Sequence, residues 1–343
     1  MDPNLDDEAR RQWNMQYLLG KDLSDFRGFG GGEYTLISPQ VEFIAPFAGW
    51  GHLEIKGGSG GMRLCSGPGD ALGIPDTGAD DLFLLPWDHV EQVVIVPDPS
   101  SKVVQGADDM LRVFIIPTGA TGASAVTKQY PQIVQFKWPN RRVIDSSIRG
   151  TMLEMRDLQK ETYFSILRTA LDEELGPLGK GVLVYTQHAK TVSKPPLFNC
   201  SGTLSPVMGT FLSEKSKGSL LFLPSGIIWL ADTVLYLPFN SLNSLHLLFI
   251  RDAASATDDE RYPVVSMGLV LSVTEPFYEA QGHGASTKTV HFTDIEDFSS
   301  VEVSIQNYSL AHGINFMKLE QTFYDYAQGQ MMTGFMPFAD PAV

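Results

Sequence analysis

Gly57-Gly58-Ser59-Gly60-Gly61 fits the G-x-S-x-G pattern that can present a serine nucleophile on a strained strand-to-helix turn. That chemistry needs a strand before the serine, a helix after it, and histidine and acid partners. Here the glycines lead into Met62 and a strand-like run, so a hairpin loop is the expectation. Gly28-Phe29-Gly30-Gly31-Gly32 puts Glu33 where a dinucleotide fingerprint needs its last glycine. Asp172-Glu173-Glu174 could pair acids for proton transfer, but they fall on the last turn of an expected helix and read as a solvated face. The seven histidines are scattered: His283 and His312 sit beside glycines in loop-like stretches, and His89 and His246 lie in apolar segments and read as structural. Cys65 and Cys200 are too few for a zinc site or a disulfide framework. No catalytic, metal or cofactor site is expected, so the chain reads as a non-enzyme.

Charge is the stronger signal. Lys plus Arg number 25 and Asp plus Glu 40, a formal charge of −15 in 343 residues. Such a surface repels phosphate backbones and anionic lipid and attracts cationic partners. The carboxylates gather in loops: Asp76–Asp81, Asp258-Asp259-Glu260, and Asp294–Asp297. The loop 251–263 is long for a hairpin, and long loops on rigid scaffolds often bind. Asp258, Asp259, Glu260, Arg261 and Tyr262 in that loop, with Ser266 and Met267 in the strand that follows, are the candidate contacts. Trp87 and Phe239 read as core.

These residues need elements to hold them. Residues 6–19 suggest a short helix with acids in its first turn. Strands are expected at 34–37, 41–44, 52–55, 62–65, 82–85, 93–96, 111–116 and 133–138. A helix follows over 157–177, capped by Asp157, with Phe164, Leu167, Leu171 and Leu175 as its apolar stripe and Gly176-Pro177 as its stop. After a polar, Pro-Pro connector the order restarts, with strands at 202–205, 220–223, 227–230, 234–237, 245–250, 264–273, 289–293 and 301–306 and a last helix at 314–328. Ser225-Gly226 reads as a hairpin turn in which glycine supplies a positive φ.

Pro86 and Pro238 lie 152 residues apart, and the same shift takes Trp87 to Phe239, Val90 to Leu242 and Val93 to Leu245. It also takes Phe164 to Phe316, Leu167 to Leu319 and Leu171 to Phe323. A duplicated domain follows. Strands without interleaved helices argue for antiparallel hairpins. A curled sheet has an open end, and a helix burying four large side chains there gains about 1.5–3 kcal/mol for each. The fold expected is mostly β: two tandem pleckstrin-homology-like (PH-like), partly open barrels, each closed by a C-terminal helix. They span 33–180 and 195–330, with an N-terminal segment at 1–32 and a tail at 331–343.

The segment "LLFLPSGIIW" with "VLYLPFNSLNSL" resembles the second PH domain of the fungal histone chaperone family of the regulator of Ty transposition type. "LFLLPWDHVEQVVIVP" with "LRVFIIPTG" resembles the first, and the related middle domains of FACT-complex subunits; "KETYFSILRTALDEELGP" is similar to the helix between them. The resemblance covers roughly residues 40–325. It implies a nuclear chaperone of the histone three–histone four pair, active in nucleosome assembly and chromatin silencing, with a weak DNA contact and the capacity to form homo-oligomers. The strand that in the family often carries Thr-Phe-Asn corresponds to Ser266-Met267-Gly268. The competing reading is a PH-type module that binds phosphoinositide or partner peptides as a scaffold. It calls for Lys/Arg in the first hairpin loops, where only Lys56, Arg63, Lys215 and Lys217 stand. No signal pattern opens the chain and no apolar run approaches the roughly 20 residues of a membrane span, so no membrane partner is expected.

Overall fold

The structure is a computed structural model. It describes residues 35–45, 49–57, 60–66, 81–98, 110–117, 133–144, 147–154, 156–185, 207–211, 215–231, 234–239, 242–252, 264–273, 277–279, 284–285, 289–295 and 298–323. The expected helix at 6–19 and strand at 202–205 lie outside them.

The first sheet opens with β1 (Leu36–Ile37), β2 (Val41–Ala45), β3 (Gly49–Ile55), β4 (Gly61–Ser66) and β5 (Asp81–Pro86). Then come β6 (Val90–Pro97), β7 (Met110–Pro117) and β8 (Val134–Pro139), the helix α1 (Tyr163–Leu175) and β9 (Val182–Val184). β2 pairs with β3 on one side and β8 on the other, which joins the meander β2–β5 to the group β6–β8 and curls the sheet. β9 returns parallel to β6.

The second sheet repeats this. β10 (Val207–Phe211), β11 (Ser216–Leu223), β12 (Gly226–Leu230) and β13 (Val234–Pro238) form the meander. β14 (Leu242–Asp252), β15 (Val264–Val273) and, after the short β16 (Phe277–Glu279) and β17 (Gly284–Ala285), β18 (Thr289–Thr293) form the second group. β18 pairs with β10 as β8 pairs with β2. The helix α2 (Phe298–Ala311) follows, and β19 (Asn315–Phe323) returns parallel to β14. The protein is therefore mostly β, with two PH-like, partly open barrels of one topology.

Each helix plugs its own barrel. On α1, Tyr163, Ile166, Leu167, Ala170, Leu171 and Leu175 are buried, and Phe164 packs at the margin of the first core. The cap is Thr162, not Asp157: the Thr162 hydroxyl accepts from the Ser165 amide at 3.0 Å and the Ser165 hydroxyl accepts from the Thr162 amide at 3.0 Å. Asp157 instead precedes a single 3-10 turn at Leu158–Lys160.

Two expectations fail in the second unit. Residues 301–306 are helix and 315–323 are strand, the reverse of the reading from sequence. Val301, Val303 and Ile305 alternate like a strand, yet Val301, Ile305 and Tyr308 are the buried stripe of α2. The shift of 152 residues holds for β5 and β6 against β13 and β14 and fails for the helix. Leu167, Ala170 and Leu171 match Val301, Ser304 and Ile305, all buried, at a shift of 134. Val182 and Phe316 share that shift and pair with Val93 and Leu245 respectively. The difference accumulates between β8 and α1, where residues 140–162 do what 294–297 do between β18 and α2.

A third core joins the barrels. Val94, Val96, Phe114, Ile116 and Ile133 of the first unit pack on Leu221, Leu223, Ile228, Leu230, Val234 and Tyr236 of the second. Their in-strand neighbours Ile95, Val113, Leu220, Phe222, Ile227, Trp229, Leu235 and Leu237 face the barrel interiors. β6, β7 and β11–β13 are buried on both faces, which is why they read as unbroken apolar runs.

Candidate functional site

The described part of the acidic rim lies where the β14–β15 hairpin meets the chain leaving β18. Arg251 pairs with Val264, so residues 253–263 connect β14 to β15 at this end of the second barrel. Asp258, Asp259, Glu260, Arg261 and Tyr262 lie outside the described residues, as do most of the acids at 76–81 and 294–297. Ser266 and Met267 are placed.

Met267 is fully buried in the second core, beside the inward-facing Leu269 and Leu271. Its side chain is a packing group, which corrects the expectation that it meets a partner. A side-chain period of two then sends Ser266 to the other face of β15. Ser266 is also largely covered, and its hydroxyl donates to Asp294 Oδ1 at a long 3.4 Å. Thr293 Oγ1 donates to the other oxygen, Oδ2, at 3.2 Å.

Asp294 is exposed and takes a left-handed φ of 52°. Asp tolerates that conformation better than most residues. The turn lets Ile295 donate its amide to the Met267 carbonyl at 2.9 Å and drop its side chain into the second core. Asp294 is thus an oriented, solvent-facing carboxylate at the base of the acidic loop. Sequence reading placed it only within an acidic stretch; its following Ile295, which anchors it, was the available signal.

The other dense polar group lies at the junction of the barrels. Arg112 Nη2 bonds Asp98 Oδ1 at 2.7 Å, with both side chains almost wholly buried. The Gln135 carboxamide, with its oxygen turned toward the guanidinium, accepts from Arg112 Nε and Nη1 at 3.2 Å each. Arg112 Nη1 also reaches the Ala231 carbonyl of the second unit at 3.4 Å. Lys137 bridges outward, 3.9 Å from Asp98 and 2.8 Å from Glu42. Opposite, Ser225 Oγ donates to Gln92 Oε1 at 2.8 Å, and Tyr236 donates to the Ser225 carbonyl at 3.1 Å. Tyr308, rising from α2, donates between the Leu223 and Gly226 carbonyls at 2.6 and 3.1 Å. Burial pushes the Tyr185, Tyr236 and Tyr308 hydroxyls well above their ordinary pKa.

Ser59 of "GGSGG" lies outside the described residues, but the segment that holds it connects β3 to the antiparallel β4, strand to strand and not strand to helix. His312 does not float in a loop: its ring stacks on Phe239 at 4.5 Å and meets Tyr308 at 4.7 Å. Trp87 is buried and donates to the Lys56 carbonyl at 2.9 Å. Among the described residues no group of three or more His, Cys, Asp or Glu is placed to hold a metal ion, and no helix is long and apolar enough to cross a membrane.

Fold and rim define the class: a tandem PH-like protein with an oriented acid at the mouth of its second barrel. No family model and no curated protein matches the chain.

Proposed function

We propose that the chain is a non-catalytic nuclear histone chaperone that binds the histone three–histone four pair for nucleosome assembly and chromatin silencing. One observation carries the reading. Leu223-Pro224-Ser225-Gly226 belongs to the most specific part of the resemblance to tandem-PH chaperones, and residues from both barrels converge on it: Gln92 from the first, Tyr236 and Tyr308 from the second. What resembles the chaperones is the joint that makes two barrels one platform.

The charge is of the right sign. A surface of −15 attracts the Lys- and Arg-rich histone surface and speeds encounter, with a strength that falls as salt rises. The rim at Asp294 and the acidic segment Asp258-Asp259-Glu260 are the contact region in this reading. The test is retention of core histones on the immobilised full chain, run beside anionic phosphoinositide vesicles. Histone retention that weakens between low and high salt is the expected result. Vesicle binding without histone binding would replace this reading with a membrane module.

A further inference from the structure

We infer that Trp50 and Glu42, side by side on the outer face of the first barrel, form a receptor for an arginine side chain of a partner protein. The inference names the chemistry of that side chain and stands whether or not the partner is a histone.

Phe43 and Phe136 face each other inside the first core, so the alternation of a strand sends Glu42 and Lys137 to the outer face. Trp50 of β3 pairs with Glu42 of β2. Residues opposed across an antiparallel pair share a face, with Cβ atoms about 4.5–5.5 Å apart. On the other side of Glu42, Lys137 Nζ lies 2.8 Å from its carboxylate. Lys137 in turn pairs with Arg112 of β7, whose Nη1 reaches the Ala231 carbonyl of the second unit. One row therefore runs Trp50, Glu42, Lys137, Arg112 and ends at the joint between the barrels.

Trp50 is the unexpected member of the row. It is 61% exposed, whereas Trp87, Trp138 and Trp229 are buried. Tryptophan and arginine are the side chains most enriched where partners bind tightly. The fold does not require an aromatic group at this position. In the second barrel Phe211 faces Phe292 as Phe43 faces Phe136, so Thr210 stands where Glu42 does. Lys217 pairs with Thr210 and stands where Trp50 does.

An indole face beside a carboxylate is the pairing that a guanidinium fits. The planar cation stacks on the ring, and its edge donates N–H groups to the carboxylate. An ammonium answers the charge without the flat stacking or the fork. The Glu42 side chain is 38% exposed, so a guest can reach it. Its present partner has a second place to go: Lys137 Nζ stands 3.9 Å from Asp98 Oδ2. A small swing closes Lys137 on Asp98 while the guest takes Glu42, and each carboxylate keeps a cation.

The test is fluorescence anisotropy of a labelled tetra-arginine peptide titrated with the full chain at about 0.15 M salt, where exposed charges more than about 8 Å apart are largely screened. Thermal unfolding of each variant is read alongside. The expected result is saturable binding, tighter than that of a tetra-lysine peptide, with a change in tryptophan emission that Trp50→Leu abolishes. Trp50→Leu weakens the arginine peptide about two- to fivefold, and Glu42→Gln about threefold or more. Lys137→Met removes the competitor for Glu42 and tightens it. Asp172→Asn takes the same unit of charge from an exposed pair on α1 and leaves the affinity unchanged. An arginine peptide that does not bind, a lysine peptide that binds as tightly, or a folded Trp50→Leu with unchanged affinity overturns the inference. Equal effects of Glu42→Gln and Asp172→Asn overturn it too, because they reveal general attraction to a chain of −15. Histone retention by the native chain is a separate readout and decides only the chaperone reading.

Discussion

Asp98 is the residue on which most polar chemistry turns. Its carboxylate sits beside Arg112 with almost no solvent, so removing it strands a guanidinium among Phe114, Val96 and Gln135. Breaking such a pair from one side costs about 3–5 kcal/mol. Asp98→Ala should lower the unfolding free energy by that amount in urea titration, while Lys160→Ala, at an exposed pair with Asp157, should change it by less than about 0.5 kcal/mol. Tyrosines set the alkaline limit. Tyr185, Tyr236 and Tyr308 have pKa values raised above 10 by burial, so the stability they bring is complete below pH 10 and is lost as pH rises above it. His246 and His291 act oppositely: burial lowers their pKa below 6.5, so stability is lost as pH falls below that value. Tyrosinate absorbance should show Tyr185, Tyr236 and Tyr308 ionising only as the chain unfolds. Met267 marks the limit of sequence at this scale. Placing Ser266 and Met267 in a strand was open to reading; which of the two faces inward depends on register against β14 and β18.

Elements with one dominant period were legible, and elements with two were not. Leu167 and Leu171 of α1 could be read as a helical stripe because no competing alternation runs through "YFSILRTALDEEL". "VEVSI" in α2 and "FMKLEQTF" in β19 each satisfy both periods, and tertiary pairing with β14 decided the second. Asp157 lost the cap to Thr162 because Thr162 and Ser165 satisfy each other's amides. Gly226 takes the positive φ, 158°, that the Ser225-Gly226 turn was expected to need, and close approach adds a second requirement: a Cβ there would lie 2.4 Å from the Leu237 carbonyl oxygen. Gly226→Ala should therefore cost about 1–3 kcal/mol in chemical denaturation, by pushing β13 from β12.

At the scale of the whole molecule, the duplication was visible in Pro86 and Pro238, whereas the joining of the copies was not. The apolar runs of β6, β7 and β11–β13 signalled burial on both faces, but a strand buried on both faces does not name what covers it. The core between the barrels supplies the answer and predicts their thermodynamics. Calorimetry should show one unfolding transition for both barrels, and Ile228→Asp, fully buried in that shared core, should lower its midpoint or split it in two. The same joint packs the second barrel, with Asp294 on its rim, against the first, and in the proposed chaperone reading this pair of barrels meets the cationic guest. The most direct test is a fluorescence titration of the labelled histone three–histone four pair with the full chain at low and high salt. The account predicts saturable binding that weakens steeply as salt rises; no binding at low salt, or binding indifferent to salt, would contradict it.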